Sequence, residues 1–479
     1  MGPLKNNNKR TISQEAFEVV VKENIEDLDM DPNEALQDAI HTLTLQGVDL
    51  SGIVTCIPGV TSVNDNPVIQ CLDQLKELVD HNDSNLKEIV NVLDNLCNLC
   101  SVQDSSSNVS IAMRNGGLDL LISICSKFKL RQRVLVSAFK AMSVLITDIQ
   151  STEIFRKNDG PKIVMNILSE CSEKIDVVNS GFAVVAAAAT GNEVVKDLFM
   201  DLKVDELLVQ ILGGKNKDGL RHPYDAIRVL LTADDGRVLA SQVYGYARTF
   251  AKIGITESLV GALHQGISSP NLISATIALK AVAVNDEICR SIADNGGVDA
   301  VLKCIDDSGE QSNSAVARAC CSLLSKLAGS DANKSSIVQK GGMDRLIKLS
   351  FRLSEDPSVL QEIMSIICTL SLRSPGNAAS AVEAGAGDFA IQAMQKFPAA
   401  PQMQKQSCLM IRNLVAVFDM LVFCEIAICA LGIFWHVVTS ILLGNGIEKI
   451  IRKAKENHES CKDAATDALR DLGLDNYNV

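Results

Sequence analysis

One phrase of about 14 residues recurs along the chain, and it constrains the fold more than any other feature of the sequence. In each copy a short apolar segment, a turn that usually contains glycine and a longer apolar segment follow one another, as in IADNGGVDAVLKCI from Ile292 and IVQKGGMDRLIKL from Ile337. The turns fall at about residues 117, 160, 203, 254, 297, 342, 386 and 446. Most copies are therefore 43 to 45 residues apart, which indicates a stack of helical repeats.

Each turn is followed by a second helical pattern, a loop and a long third pattern, such as 314–328 or 358–372. Three helices in about 43 residues are typical of armadillo repeats. The composition agrees, because 47% of the residues are hydrophobic and only 4% are aromatic, as expected for helix cores of Leu, Ile, Val and Ala. We therefore predict an all-α fold, an armadillo-repeat right-handed superhelical solenoid.

The charge distribution separates the first residues from the rest. Residues 1–110 carry 6 Lys and Arg against 18 Asp and Glu, whereas the remaining residues carry 39 against 40. We predict that residues 1–70 form an acidic N-terminal helical segment and linker, with two amphipathic helices in residues 14–46. Residues 71–479 are predicted to form the solenoid, with about nine units of which the first and the last are incomplete.

The turns carry further local signals. Glycine there is expected to end one helix and to let the next helix pack closely against it. A phosphate-binding loop is disfavoured, because no strand precedes the NGG phrase and no Lys-Ser or Lys-Thr follows it. An Asn or Ser stands nine residues before several turns and is predicted to cap the first helix of the unit; these residues are Asn108, Ser151, Asn192, Asn333 and Asn377.

Phrases near both ends of the chain point to a family. They are ISQEAFEVVVKENIEDLDMDPNEALQDAI from Ile12, QGVDLSGIV from Gln46, QKQSCLMIRNLVA from Gln404 and AATDALRDLG from Ala464. In these phrases, and in their order over nearly the whole chain, the sequence resembles the armadillo repeat-containing protein 6 family. The resemblance implies an all-α armadillo solenoid that binds other proteins and has no known enzymatic chemistry.

Better-understood armadillo proteins offer a comparison for the binding face. Nuclear-import adaptors of the importin alpha type carry a Trp, and an Asn four residues later, on each long helix. The Trp-equivalent positions here are Asn91, Phe139, Gly181, Tyr224, Ile277, Ser322, Ser365 and Leu409, and the Asn-equivalent positions are Asn95, Ser143, Val185, Arg228, Ala281, Lys326, Thr369 and Asn413. This ladder contains no Trp and only two Asn, and no basic groove of the beta-catenin kind is expected either.

The strongest candidate for partner binding surrounds the longest spacing between neighbouring central turns. The step of 51 residues contains a surplus of eight, in LLTADDGRVLASQVYGYARTFAKIG from Leu230. Tyrosine and arginine are favoured at binding hot spots. The predicted contacts are Tyr224, Arg228, Asp234, Asp235, Arg237, Tyr244, Tyr246, Arg248, Lys326 and Asn413. The alternative is that a lengthened first helix packs its rings on the neighbouring repeat.

Catalytic and metal chemistry find no support in the sequence. Cys97 and Cys100 form a CxxC pair, but no second thiol pair or suitably spaced histidine accompanies it, so buried packing is expected. The six histidines are scattered, and no nucleophile motif occurs. We predict no enzymatic activity, no metal and no cofactor.

The location and the class of partner follow from charge and from the cysteines. A chain of net charge −13 is not suited to nucleic acid. The start, MGPLKNNNKRTIS, lacks the apolar core of a secretory signal. Fifteen cysteines, mostly in apolar helical patterns, indicate reduced thiols in a cytoplasmic or nuclear protein. The expected partners are proteins, while their identity and the oligomeric state of the chain stay open.

An apolar segment, residues 417–443, interrupts the last period and adds about 16 residues. Residues 420–443 contain one Glu and one His, and 24 residues are enough to span a bilayer. Three interpretations remain open: a membrane anchor, a buried inserted helix and a translated intron. An anchor is disfavoured, because it would separate the last repeat from the stack that covers its apolar face.

These features together predict a function. We expect a non-enzymatic scaffold or adaptor that binds segments of partner proteins in the concave groove lined by the long helices. The alternative is a membrane-tethered armadillo adaptor anchored by residues 420–443.

Overall fold

The computed structural model describes residues 10–80, 85–102, 106–214, 219–234, 240–415 and 438–477. The chain forms two compact units. The N-terminal unit comprises Met1–Ile211 and Leu220–Leu239, and the C-terminal unit comprises Leu212–Gly219 and Ala240–Val479.

Helices dominate both units. In the N-terminal part of the chain they are α1 (Gln14–Glu26), α2 (Pro32–Leu45), α3 (Pro67–Asp80), α4 (Leu86–Ser101), α5 (Ser106–Arg114), α6 (Gly117–Lys127), α7 (Gln132–Leu145), α8 (Ile149–Lys157), α9 (Gly160–Glu170), α10 (Ile175–Ala189), α11 (Glu193–Asp201), α12 (Val204–Gly213) and α13 (His222–Leu230). The helices of the C-terminal unit are α14 (Ala240–Lys252), α15 (Ile255–His264), α16 (Leu272–Val282), α17 (Asp286–Asp294), α18 (Gly297–Glu310), α19 (Ser314–Leu327), α20 (Asp331–Gln339), α21 (Gly342–Arg352), α22 (Pro357–Ser371), α23 (Pro375–Glu383), α24 (Ala386–Lys396), α25 (Pro401–Val415), α26 (helical residues 438–444), α27 (Ile447–Asn457) and α28 (Lys462–Asp471).

From α5 onward the helices follow one another in triplets. Most first helices have nine residues and most third helices have 14 or 15, although α14 has 13 and α13 has nine. Apolar spacing explains why they pack. In α21, Met343, Leu346 and Ile347 are buried, while charged residues occupy the opposite face. The all-α armadillo-repeat prediction is confirmed.

The third helices of successive triplets pack side by side in each unit. In the N-terminal unit α4, α7, α10 and α13 form one row, called here the N-terminal row. In the C-terminal unit α16, α19, α22, α25 and α28 form the C-terminal row. Residues in a row come from different repeats and are about 43 positions apart in sequence, so the fold builds each row's surface from many separate segments.

The glycine turns perform the two tasks expected of them. Gly341 lies between α20 and α21 with φ of 73°, in the left-handed region that glycine tolerates. A Cβ on the next residue, Gly342, would lie 2.6 Å from Ile337 Cγ2 and 2.7 Å from the Ile337 carbonyl oxygen. In two repeats a non-glycine residue takes the left-handed position, namely Asp159 with φ of 57° and Lys203 with φ of 63°.

Most of the residues predicted to cap the first helices lie inside those helices, because the helices begin earlier in the chain than predicted. Asn192 is an N-cap, because its Oδ1 accepts a hydrogen bond from the Val195 backbone N–H at 3.1 Å. The cap prediction is wrong for Asn108, Ser151, Asn333 and Asn377, which lie inside their helices. Asn333 shows the reason: its Nδ2 donates to the carbonyl oxygens of Leu327 at 3.1 Å and Cys289 at 2.9 Å. These contacts tie a first helix to the preceding repeat.

The acidic N-terminal segment packs through its apolar side. Phe17 and Val21 of α1, Ala39 and Leu43 of α2, and Ile53 form a buried cluster. Two short strands, β1 (Arg10–Thr11) and β2 (Val48–Asp49), pair in parallel beside it. The carboxylates of both helices therefore lie on the outside of a small folded module.

Most of the apolar segment 417–443 lies outside the described residues. Residues 438–443 belong to α26, where Val438 and Leu442 are buried. Across the described part of the chain, no helix combines the length and the apolar character needed to cross a bilayer.

Candidate protein-interaction surface

The exposed face of the C-terminal row is built from three residues per helix, spaced four apart. Ile277, Ser322, Ser365 and Leu409 are the central residues of α16, α19, α22 and α25. The spacing of four places the flanking residues on the same side of each helix. Preceding them are Ile273, Arg318, Gln361 and Lys405, and following them are Ala281, Lys326, Thr369 and Asn413. Only Asn413 of these twelve is buried.

Contacts between neighbouring helices show that these side chains form one surface. Lys280 Nζ donates to the Ser322 hydroxyl at 2.6 Å, and the Ser325 and Ser365 hydroxyl oxygens lie 3.4 Å apart. At the far end the Arg412 guanidinium lies 3.1 Å from the Asp467 carboxylate. Together with the packing of α22 against α25, these contacts make the surface continuous from α16 to α28.

Four of the five cations in α16, α19, α22 and α25 form no ion pair with any residue that the structure describes: Lys280, Arg318, Lys326 and Lys405. On the second-helix side of the same unit, cations pair with carboxylates of the preceding repeat, as in Lys340–Asp299, Arg345–Asp306, Arg352–Glu310 and Lys396–Glu355. Cations on the second-helix side of the repeats are therefore neutralised by neighbouring carboxylates, whereas four cations on the C-terminal row have no ion-pair partner among the described residues.

The charge counts of the two rows differ. In α16, α19, α22 and α25 there are five Lys and Arg and one acidic residue, Glu362, a balance of +4. In α4, α7, α10 and α13 there are four basic and four acidic residues, a balance of zero. Within the two rows, the excess of positive charge is therefore confined to the third helices α16, α19, α22 and α25, and the expectation that no basic groove of the beta-catenin kind is present stays a prediction. The terminal helix α28 carries two basic and three acidic residues.

Sequence reasoning missed most of these cations because it considered only two positions of each long helix. Arg318 and Lys405 lie four residues before the first of the two positions on their helices. Lys280 lies one residue before the second position on its helix, Ala281. The signal was present in the sequence, since Arg318 and Lys405 occupy the same place in two repeats.

The inferred Trp and Asn register is wrong at four of its eight positions in the N-terminal row. Phe139, Gly181, Tyr224 and Val185 were assigned to the binding face and are all buried. Tyr224 is only 1% exposed, and burial raises its pKa to about 12. Its predicted contact with a partner is therefore wrong, whereas Arg228 on the same helix is exposed.

Asp234 stabilises the protein's own fold. Its carboxylate pairs with the ammonium group of Lys196, which is completely buried. Lys196 also lies 2.9 Å from Glu193 Oε1 and donates to the Thr232 carbonyl oxygen at 2.6 Å. These contacts hold residues 232–234 and give Asp234 a structural role, while its predicted contact with a partner stays a prediction. The predicted contacts Asp235 and Arg237 lie outside the described residues.

The remaining candidates lie on two different parts of the C-terminal unit. Tyr244 and Arg248 are exposed on α14, and Tyr246 on the same helix is partly buried. Lys326 is exposed on the C-terminal row. Asn413 is in the same row but is 6% exposed, and its Nδ2 donates to the Cys368 carbonyl oxygen at 3.0 Å. Asn413 therefore holds two third helices together, and its predicted role as a groove contact is wrong.

The thiols of the CxxC pair differ in their surroundings. Cys97 is partly exposed, while Cys100 is buried. Burial first, and then the nearby thiols of Cys97 and Cys71, raise the pKa of Cys100 to about 11. A protonated thiol is a poor nucleophile and a poor ligand. In the described ranges, no three His, Cys, Asp or Glu side chains are grouped to hold a metal ion.

Comparison with known families agrees with this architecture. The ARMC6 family model matches residues 68–476, and the model described as the armadillo repeat-containing protein 6 N-terminal domain matches residues 9–70. The chain belongs to the armadillo repeat-containing protein 6 family. The boundary between the two matches falls next to the start of α3.

Relatives in this family share the chain over most of its length. The proteins named armadillo repeat-containing protein 6 from Pongo abelii and Homo sapiens are each 29% identical, over 77% of this chain and 75% of theirs. The Drosophila melanogaster homolog is 26% identical, over 78% of this chain and 80% of its own. A crystal structure of an engineered protein has a TM-score of 0.60 at 18% identity and covers 86% of this chain and 97% of that one, which supports the fold. Family and fold together support a protein-interaction scaffold, of a kind that is typically non-enzymatic.

Proposed function

We propose that the chain is a non-enzymatic scaffold that binds a segment of a partner protein along the C-terminal row. The observation that carries the proposal is the row's continuous surface, in which four cations have no ion-pair partner among the described residues. The exposed Ile277 and the partly exposed Leu409 supply apolar contact area beside them. Such a mixture of apolar and polar groups is typical of interaction surfaces.

The row also offers enough length for a peptide. Packed helices lie about 8–10 Å apart, so four of them span roughly 30 Å. An extended chain advances about 3.3 Å per residue, which corresponds to about nine residues across the row. A short linear segment of a partner therefore suits the surface better than a small molecule.

A photo-crosslinking experiment tests this proposal. Benzoylphenylalanine at position 365 places the probe on the row, and the same residue at position 348 places it on the exposed face of α21 as a matched control. We expect the probe at 365, and not the one at 348, to crosslink to one short segment of a partner in cell extract. Ser325→Trp, which fills the row without changing its charge, should abolish that crosslink. Equal crosslinking from both positions, or an unchanged crosslink in Ser325→Trp, would contradict the proposal.

A further inference from the structure

The charge of the C-terminal row identifies the kind of segment that it fits, an inference that rests on the proposed function. We propose that α16, α19, α22 and α25 bind an extended acidic segment, rich in Asp and Glu, of a partner protein.

The cations are distributed along the length of the row. Lys280 is in α16, Arg318 and Lys326 are in α19, and Lys405 is in α25. Carboxylates spaced along an extended segment would meet cations on α16, α19 and α25, whereas α22 carries none. Because its ends lie on different repeats, such a segment would contact several repeats at once.

Two of these cations contact hydroxyl groups of the row. Lys280 donates to the Ser322 hydroxyl, and Arg318 Nη1 lies 3.5 Å from the Ser358 hydroxyl oxygen. The Ser322 hydroxyl that Lys280 contacts is neutral, whereas the Ser358 hydroxyl itself donates to Asp356 Oδ1 at 2.6 Å, which places a carboxylate one hydrogen bond away from Arg318. A carboxylate is a stronger acceptor than a hydroxyl for both cations. An acidic segment can therefore replace these contacts without breaking an existing ion pair.

The acidic residues beside the row limit where such a segment can lie. Glu362 of α22 is the one carboxylate within α16, α19, α22 and α25. Beyond α25, Asp467 pairs with both Arg412 and Arg470. We therefore place the segment over α16 and α19, with its end near Lys405, and exclude α28.

A direct binding measurement tests the inference. The probe is a fluorescein-labelled peptide of ten glutamates, whose length matches the row, and an equally labelled peptide of ten glutamines is the uncharged control. We expect the full chain to bind the glutamate peptide, to bind it more weakly as NaCl rises from about 50 to 300 mM, and not to bind the glutamine peptide. Fluorescence anisotropy gives the affinities.

Two sets of variants with the same change in charge separate a specific site from general attraction. Lys280→Glu with Arg318→Glu and Lys326→Glu alters the C-terminal row, and Lys87→Glu with Lys140→Glu and Arg228→Glu alters the N-terminal row. All six side chains are exposed, so both sets are expected to fold. The first set should weaken binding at least tenfold and the second less than twofold. If the first set unfolds, the same three positions changed to Gln provide the test.

The outcomes distinguish the inference from the proposed function. If both sets weakened binding of the glutamate peptide equally, or if that peptide did not bind at all, the inference that the row binds an acidic segment would be overturned. If Ser325→Trp still removed the partner crosslink in that case, the row would bind a segment of other chemistry. If neither the tryptophan nor the charge changes affected any binding, both proposals would fall.

Discussion

Lys196 Nζ lies 2.9 Å from Glu193 Oε1, although the Lys196 side chain is completely buried. The lysine belongs to α11, and its second carboxylate partner, Asp234, follows α13. A buried lysine is rare unless it is paired. The Lys196–Asp234 ion pair therefore joins α11, the first helix of one repeat, to the residues that follow α13, the third helix of the same repeat.

Replacing Lys196 should destabilise the N-terminal unit. We expect Lys196→Ala to lower the free energy of unfolding by about 2–3 kcal/mol, somewhat below the range for fully buried pairs because Glu193 and Asp234 are about a quarter exposed. Lys196→Met should cost less, since its side chain refills the apolar space. Urea unfolding measures both, and Lys157→Ala, at a side chain that is 67% exposed, should change little. Equal stability of the alanine variant and the wild type would show that the pair is not stabilising.

A second prediction concerns the close approach at the glycine turns. Gly342→Ala places a methyl group against the Ile337 carbonyl oxygen and should lower the free energy of unfolding by about 1–3 kcal/mol. Gly376→Ala is the matched control, because a Cβ there meets no atom within 4 Å. It should leave stability unchanged or raise it by up to about 1 kcal/mol. Thermal unfolding measures the stability of both variants. Equal stability changes in the two would show that the close approach at Gly342 does not require glycine.

The reverse exchange should stabilise a turn that lacks glycine. Lys203 has φ of 63°, a conformation that costs a side-chain-bearing residue about 1 kcal/mol. Lys203→Gly removes that strain and should raise the free energy of unfolding by up to about 1 kcal/mol. Lys162→Gly, inside α9 and exposed, should lose about 1 kcal/mol instead. A loss in both variants would mean that the turn at Lys203 is not strained.

Much of the fold could be predicted because it repeats. The spacing of about 43 residues, the glycine turns and the apolar faces all recur, so an error in one copy is corrected by the others. Gly341 and Gly342 illustrate this, since a positive φ and close packing favour glycine there, and Gly116–Gly117 and Gly296–Gly297 repeat the pair in two other units. Repetition, rather than any single residue, carried the prediction of an all-α solenoid.

The binding face was harder to predict, because it depends on the rotation of each third helix. Loops before the third helices vary in length, from residues 128–131 before α7 to the longer connection between α12 and α13. An error of one residue in counting turns a helix by about 100°. Such an error moved Phe139 and Tyr224 from the core to the predicted surface. The pairing of Lys196 with Asp234 could not be predicted either, since only the folded chain brings them together.

The buried phenol of Tyr224 predicts how stability depends on alkaline pH. Burial raises its pKa from 10 to about 12. Between these values the unfolded chain loses the proton while the folded chain keeps it, so stability is complete below pH 10 and declines as pH rises towards 12. At pH 11 one such group accounts for about 1.4 kcal/mol.

Tyr224→Phe should remove this contribution, so its unfolding free energy should fall less than that of the wild type between pH 9 and pH 11. Tyr244→Phe, at a ring that is 44% exposed, is the matched control and should follow the wild type. Urea unfolding at both pH values gives the difference directly, and the titration of other groups cancels because it is common to all three proteins. If Tyr224→Phe and the wild type lost the same free energy, the phenol would have to be accessible to water, and the burial that excludes Tyr224 from the binding face would be wrong.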